Sequence, residues 1–128
     1  KRAQRLISEG MQSSILDLAG GDPDKITAKM VLDAAKAGDE VGTECFEIMV
    51  DKLTNSFANV IDLIDPAVFT IGGGVANAGD FLLDALKDGM EGKITYPELV
   101  DPDIRLASLG NDAGIVGAAY VGDYIVKK

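Results

Sequence analysis

Histidine is absent from this 128-residue chain, and cysteine occurs once, at Cys45. A single thiol cannot close a disulfide within the chain. Without histidine, neither a Ser-His-Asp triad nor a Cys-His pair can be assembled from these residues. A His/Cys zinc cluster is excluded on the same ground. Long apolar runs are also lacking, so no segment reads as a bilayer span. No secretory signal is present, and a reducing cytoplasm is the expected setting. Positive charge is scarce: 12 Lys and Arg stand against 21 Asp and Glu, a net charge of −9. That balance argues against nucleic acid or an anionic membrane surface as partner. The acidic residues are scattered, as on a solvated surface. The chain opens on Lys1 and not on Met, which fits the expectation that something precedes it.

What is present is an ordinary globular composition, 47% hydrophobic, at a length that makes one domain or part of one. Residues 1–9 read as a short helix stopped by Gly10, and Ser13–Leu18 as a second short one. "AGGDPD" (19–24) is a turn cluster. Thr27 can cap a helix to about Lys36 with Met30, Val31 and Ala34 inward, and Gly38 can end it. Residues 39–64 carry Val41, Cys45, Phe46, Met49, Leu53, Phe57, Val60, Ile61 and Ile64 at helical spacing. The helix should be about 38 Å long. Pro66 stops it by disfavouring helical geometry at Asp65. Cys45 lies on the apolar stripe and reads as a core residue.

From residue 66 the period changes. "AVFTIG" (67–72) reads as a buried strand. Asn77 can cap the next helix, with Asp80 in a capping-box-like place and Phe81, Leu82, Ala85 and Leu86 inward. "TYPELVDPD" is a loop and "IRLASLG" (104–110) a second strand. Asn111 can cap a last helix to about Val126, with Asp112 in its first turn, where the dipole favours a negative charge. Gly114, Gly117 and Ala118 leave one side of that helix bare, fit for close packing on something. Strand, helix, strand, helix implies a parallel α/β arrangement. Only two strands are convincing, and a two-stranded parallel sheet has two open edges. The missing strands are expected from residues outside this sequence or from another chain.

The three glycines Gly72, Gly73 and Gly74 follow the first strand directly. A dinucleotide fingerprint from Gly72 needs glycine at 77, where Asn77 stands; a phosphate-binding loop from Gly74 needs lysine at 80, where Asp80 stands. Neither is supported. A strand running into a glycine turn that opens a helix suits a nucleotide or phosphate lying on the backbone. A tight turn with no ligand fits as well. Gly73 and Gly74 are expected to need positive φ or the room a Cβ would fill, whereas Gly79, placed in the first turn of a helix, should tolerate Ala.

"IDPAVFTIGGGVANAGDFLLDAL" followed by "LGNDAGIVGAAYVGDY" resembles the C-terminal end of the ROK family of bacterial repressors, open reading frames and sugar kinases, the ATP-dependent glucokinases above all. "ITAKMVLDAAKAGDEVGTECFEIMVDKLTNSFANVIDLIDP" and "KRAQRLI" fit the same family, so the likeness covers nearly the whole chain. The resemblance implies an α/β fold: part of the C-terminal lobe of an actin-like, ribonuclease-H-like ATPase, with a helical segment 1–65 and a strand–turn–helix, strand–helix segment 66–128. It implies ATP and Mg2+ as cofactors, a hexose as substrate, and Gly72, Gly73, Gly74 and Val75 on the adenosine side of the nucleotide site. No catalytic and no metal-binding residue is expected here. The family's Asp-x-Gly-Gly-Thr phosphate loop, its catalytic aspartate, its sugar-binding Glu and His and its cysteine-rich zinc motif are expected before Lys1. Asp112 reads as a cap and not as the base. The expected partners are that missing part or a second copy, in a homo-oligomer. Two alternatives stay open: the lobe of a ROK repressor, and a self-associating module without catalysis.

Overall fold

The computed structural model describes residues 1–98, 102–109 and 112–126, with side chains as far as Val121. Asn111, expected as a cap, Gly110 at the end of the second expected strand, and the middle of the 95–103 loop lie outside the described residues. The helical half forms as its caps dictate. Arg2–Ser8 (α1) ends at Glu9 and turns at Gly10 with φ 99°. Ser14–Leu18 (α2) starts where Ser13 Oγ accepts the Ile15 amide at 3.1 Å. Ala28–Lys36 (α3) starts where Thr27 Oγ1 accepts the Met30 amide at 3.3 Å, and the chain leaves it through Gly38 at φ 82°. Glu40–Ile64 (α4) is capped by Asp39, whose carboxylate takes the Gly42 amide at 2.9 Å. It stops at Asp65, in left-handed geometry just before Pro66.

The apolar stripe of α4 differs from its expected course. Val60 and Ile64 are exposed, whereas Gly42, Val50, Thr54 and Ala58 are buried. Small residues mark the lines where neighbouring helices come closest. A Cβ on Gly42 would lie 2.6 Å from the Ala35 amide nitrogen, so α3 and α4 touch backbone to backbone there. Ile64, in the last turn of α4, is left uncovered by the described residues. On α3 the most buried residues are Leu32, Ala34 and Ala35, with Met30 and Val31 half-buried. Thr54, though polar and fully buried, is satisfied: its hydroxyl donates to the Val50 carbonyl at 2.8 Å and accepts from Lys93 Nζ at 2.8 Å.

Val68–Ile71 (β1) and Asp103–Leu106 (β2) pair in parallel, Val68 opposite Asp103 and Ile71 opposite Leu106. Both are shorter than the sequence implied. Asp80–Met90 (α5) lies between them in the chain and packs on α4 and β2. Leu82 and Leu86 are fully buried among Phe46, Val50, Ile61 and Ile104. Gly89 permits this approach, since a Cβ there would meet the Thr54 and Val50 side chains at 3.1 Å. Phe81, expected inward, is partly exposed but stacks on Phe46 at 4.4 Å between centroids. A smaller core holds Ala3, Leu6, Ile15, Ala34 and Val41.

Ala113–Val126 (α6) starts one residue later than expected, so Asp112 stands just before its first turn and not within it. Ile115, Tyr120 and Val121 are exposed, and a Cβ on Gly114 or Gly117 would meet nothing within 4 Å. The small face of α6 therefore packs on nothing among the described residues.

Candidate functional site

The two parallel strands end together, at Ile71 and Leu106, where the Ala107 amide donates to the Ile71 carbonyl at 2.8 Å. The loops that lead to α5 and α6 both leave from this edge. Ligands of open parallel sheets sit at such carboxyl ends. The glycine run occupies it. Gly72 continues β1, facing Ala107, whose Cβ would lie 3.6 Å from a Cβ placed on Gly72. Gly73 turns the chain with φ 73° and ψ −167°; Gly74–Ala78 then wind one tight 3₁₀ turn; Gly79, at φ 66° and ψ −145°, opens α5. Conformations with positive φ and ψ near 180° are essentially reserved for glycine.

Two expectations are corrected here. Asn77 does not cap α5: it lies inside the 3₁₀ turn, and α5 begins at Gly79 with no side-chain cap. Nor is Gly79 an ordinary first-turn residue that tolerates Ala, because its φ is positive. Both follow from the path of the chain. Five residues of 3₁₀ turn fill the space the sequence assigned to the start of the helix. Of the run itself, only Gly73 has positive φ. Gly74 has ordinary φ, and a Cβ there would enter open space, as would one on Gly73. The turn closes on itself through Ala76 N–H to the Gly73 carbonyl at 3.1 Å and Gly79 N–H to the Ala76 carbonyl at 3.0 Å. No acceptor among the described residues takes the amides of Gly73, Gly74 or Val75. A bare backbone with three N–H groups that meet no acceptor among the described residues thus lies at the strand ends.

Beside the turn is a cavity of about 260 Å³ that the sequence did not announce. Val75 forms one wall; Val31 and Leu32 of α3 and Cys45, Phe46 and Met49 of α4 form others. These side chains are half-buried or buried, and on spacing alone they read as core. Nothing in a helical period separates a residue that faces a neighbour from one that faces a cavity. Cys45 is half-buried; burial, then the neighbouring Glu44 carboxylate, push its thiol above the ordinary value. The protonated thiol is no nucleophile. Arg2 at the rim pairs with Glu44 at 2.5 Å. Near the start of α5, Lys36 Nζ lies 5.9 Å from the Phe81 ring centroid.

Gly72, Gly73, Gly74 and Val75 follow β1 at the sheet edge, and of the four Val75 lines the cavity. Asp112 is exposed at the start of α6, its amide donating to the Leu109 carbonyl at 3.0 Å. Among the described residues no group of three or more His, Cys, Asp or Glu is placed to hold a metal, and no helix is long and apolar enough to cross a membrane.

Known proteins match this arrangement. The sequence signature of the ROK family fits residues 6–123. A glucokinase of Thermotoga maritima is 31% identical over 121 residues, 92% of this chain and 38% of that protein. A glucokinase of Halalkalibacterium halodurans is 34% identical over 128 residues, 97% of this chain and 37% of its own length. The crystal structure of a ROK family glucokinase from Streptomyces griseus in complex with glucose and AMPPNP superposes with a TM-score of 0.79 at 28% identity, over 94% of this chain and 39% of that one. The chain thus spans under two-fifths of the relatives it matches.

Proposed function

Because the chain belongs to the ROK family, we propose that it is part of the C-terminal lobe of an ATP-dependent hexose kinase, with glucose the favoured acceptor, and that it forms the adenosine side of the ATP site. The fold is that of the actin-like sugar kinases. The observation that carries the reading is the glycine turn: amides without an acceptor among the described residues and bare Cα atoms at the carboxyl ends of two parallel strands, beside a largely apolar cavity. A nucleoside fits it. Its base would enter the cavity against Val75, and its ribose would lie on Gly73 and Gly74, where no Cβ stands in the way.

Phosphoryl transfer depends on positioning and on neutralising charge around the γ-phosphate. This chain contributes the first. The turn fixes the nucleoside end, so that the triphosphate extends along the sheet edge in one direction. ATP supplies the phosphoryl group. Mg2+ does not fit the described residues, which offer no cluster of oxygen ligands; no step here runs through it. Asp112, exposed just before α6, is not assigned as a base for the sugar hydroxyl.

Titration of the 128-residue chain with ADP, followed by amide NMR, tests this. The expected result is shifts at Gly72–Val75 and at the cavity walls, with no turnover of ATP and glucose by the pure chain. Shifts confined to other surfaces of the folded chain would refute the assignment.

A further inference from the structure

The cavity of about 260 Å³ beside the 3₁₀ turn is just smaller than the ~300–1,000 Å³ of pockets that hold a whole drug-sized ligand. It has room for one ring system. Val75 is the one residue of the turn in its lining; Lys1 and Arg2 come from the start of α1, and Ile26, Thr27 and Ala28 from the link into α3. An adenine ring presents a donor beside an acceptor on its Watson–Crick edge, the amino group and N1. Guanine and hypoxanthine present the reverse there, a carbonyl beside an N–H. Reading adenine by this edge therefore takes an acceptor next to a donor.

The Lys1 and Arg2 side chains can only donate, and the Arg2 guanidinium holds Glu44 through Nε at 3.2 Å and through its terminal nitrogen at 2.5 Å. Most acceptors in the lining are taken. The Lys1 carbonyl accepts the Arg5 amide at 3.0 Å and the Thr27 carbonyl the Val31 amide at 3.3 Å. The Thr27 hydroxyl accepts the Met30 amide at 3.3 Å. The Cys45 and Met49 sulfurs are weak acceptors. The remaining lining residues apart from Ile26 lie in helices or in the 3₁₀ turn. The Ile26 carbonyl meets no donor among the described residues, and the amide of Ala28, the first residue of α3, meets no acceptor among them. Thr27 stands between the two in extended geometry, φ −100° and ψ 160°. In extended chain the carbonyl before a residue and the amide after it point to the same side. An acceptor and a donor thus lie side by side in a stretch that lines the cavity.

We propose that the backbone of Ile26 and Ala28 reads the base: the Ile26 carbonyl accepts from the amino group of an adenine seated in the cavity, and the Ala28 amide donates to its N1. The inference rests on the nucleotide reading of the glycine turn and adds the element that sets the choice of base. Guanine or hypoxanthine in the same place would set carbonyl against carbonyl and N–H against N–H. Ala28→Pro removes the donor at little cost to the fold. Proline suits the first position of a helix, and Thr27 already has the extended geometry that a following proline demands.

The test uses the 128-residue chain and four probes: ADP, IDP, GDP and purine riboside diphosphate, which lacks the amino group and keeps N1. Dissociation constants are read from amide NMR shifts. ADP should bind at least about tenfold more tightly than IDP and GDP; a smaller preference overturns the inference and leaves the nucleotide site standing. In Ala28→Pro the preference should fall by at least about fivefold, because ADP loses a hydrogen bond while IDP loses only a mismatch. A smaller fall in the folded variant overturns the inference, since a merely structural role would weaken both nucleotides alike. If the variant does not fold, purine riboside diphosphate decides on the wild-type chain. It should bind at least about fivefold more weakly than ADP, for want of the bond to the Ile26 carbonyl; a smaller difference overturns the inference. No binding of any nucleotide to the folded wild-type chain overturns the nucleotide reading itself, and the inference with it.

Discussion

Residues 1–58 and residues 60–121 are made of similar amino acids but finish differently. In the first stretch α2, α3 and α4 start at side-chain caps, and the helices pack their apolar faces on one another. In the second, apolar side chains remain on the outside: Leu63 is 81% exposed, Ile115 and Tyr120 are each 72% exposed, and the β1–β2 sheet has both edges open among the described residues. The contrast teaches where this chain is self-sufficient. Helices close their backbone hydrogen bonds within themselves, whereas strands need neighbours. The two-stranded sheet therefore leaves backbone groups unpaired along both edges among the described residues. The candidate site sits on that boundary, the helical half supplying the cavity and the strand half the bare backbone.

The contrast breaks most visibly at leucine. Leu86→Ala removes a fully buried side chain from the main core and should cost about 2–5 kcal/mol. Leu63→Ala, at the exposed end of α4, should change stability by less than about 0.5 kcal/mol. Urea midpoints measure both. Equal losses would mean that the end of α4 is covered in solution, and the proposed division of the chain would fall.

The next effect is at glycines that serve opposite ends of the contrast. Gly42→Ala drives a Cβ into the backbone of Ala34 and Ala35, and overpacking of this kind costs about 1–3 kcal/mol. Gly79→Ala meets no atom within 4 Å, yet its positive φ costs a comparable ~1–3 kcal/mol. The two are separable by relief. Shortening Ala34 to Gly should recover part of the Gly42→Ala loss, since the Ala34 Cβ stands 3.1 Å from the added carbon; no neighbouring change should rescue Gly79→Ala. If Gly79→Ala proved neutral, the turn would have to take another path.

These two glycines also show what a sequence can and cannot disclose here. The cap at Thr27 and the stop at Pro66 were legible, because each is a signal between neighbours in the chain; Ser13 and Asp39, read only as the first residues of their helices, are in fact the caps. The β1–turn–α5 order was legible from the change of period. The buried face of α4 was only half legible, because Gly42, Thr54 and Ala58 give no hydrophobic signal although they mark the closest contacts. Gly79 as the true start of α5 was not legible, since it depends on a 3₁₀ turn that intervenes. Of the site, the glycine run stood out in the sequence. The cavity did not, because it is bounded by four separate elements: α1, α3, α4 and the 3₁₀ turn.

A smaller effect, and one that depends on pH, belongs to the helical half. Asp39 stitches α2 to α4. Its carboxylate takes Ser13 Oγ at 2.9 Å, Ser14 Oγ at 2.8 Å, and the Ser14 and Gly42 amides at 2.7 and 2.9 Å. Burial raises its pKa, but these four hydrogen bonds outweigh burial and hold it below the ordinary value. A carboxyl that titrates lower in the folded chain stabilises the fold above its unfolded value near ~3.9, and that contribution fades as pH falls through the folded value. Asp39→Ala should cost about 0.5–2 kcal/mol at neutral pH. It should cost progressively less below about pH 4. A wild-type to variant difference that stays constant from neutral to acid pH would show that the carboxylate is not the active element.

The smallest effect on the fold should be the most informative about the site. Gly74 has ordinary φ, and a Cβ there points into open space. Gly74→Ala should therefore leave stability within about 0.5 kcal/mol. Gly73→Ala cannot serve the same purpose, since its positive φ adds a strain of about 1–3 kcal/mol whatever the ligand does. Only at Gly74 is the space a side chain would take from a nucleotide separated from the conformation glycine provides. Under the proposed function, Gly74→Ala in the full-length protein should raise the KM for ATP by more than about tenfold, a loss near 1.4 kcal/mol in ATP binding, and leave the KM for the sugar and the melting temperature where they were. A selective rise of that kind ties the open space above the turn to the nucleotide. An unchanged KM for ATP in a folded, active variant would mean that the nucleoside does not lie over Gly74 and that the three glycines serve only to turn the chain from β1 into α5.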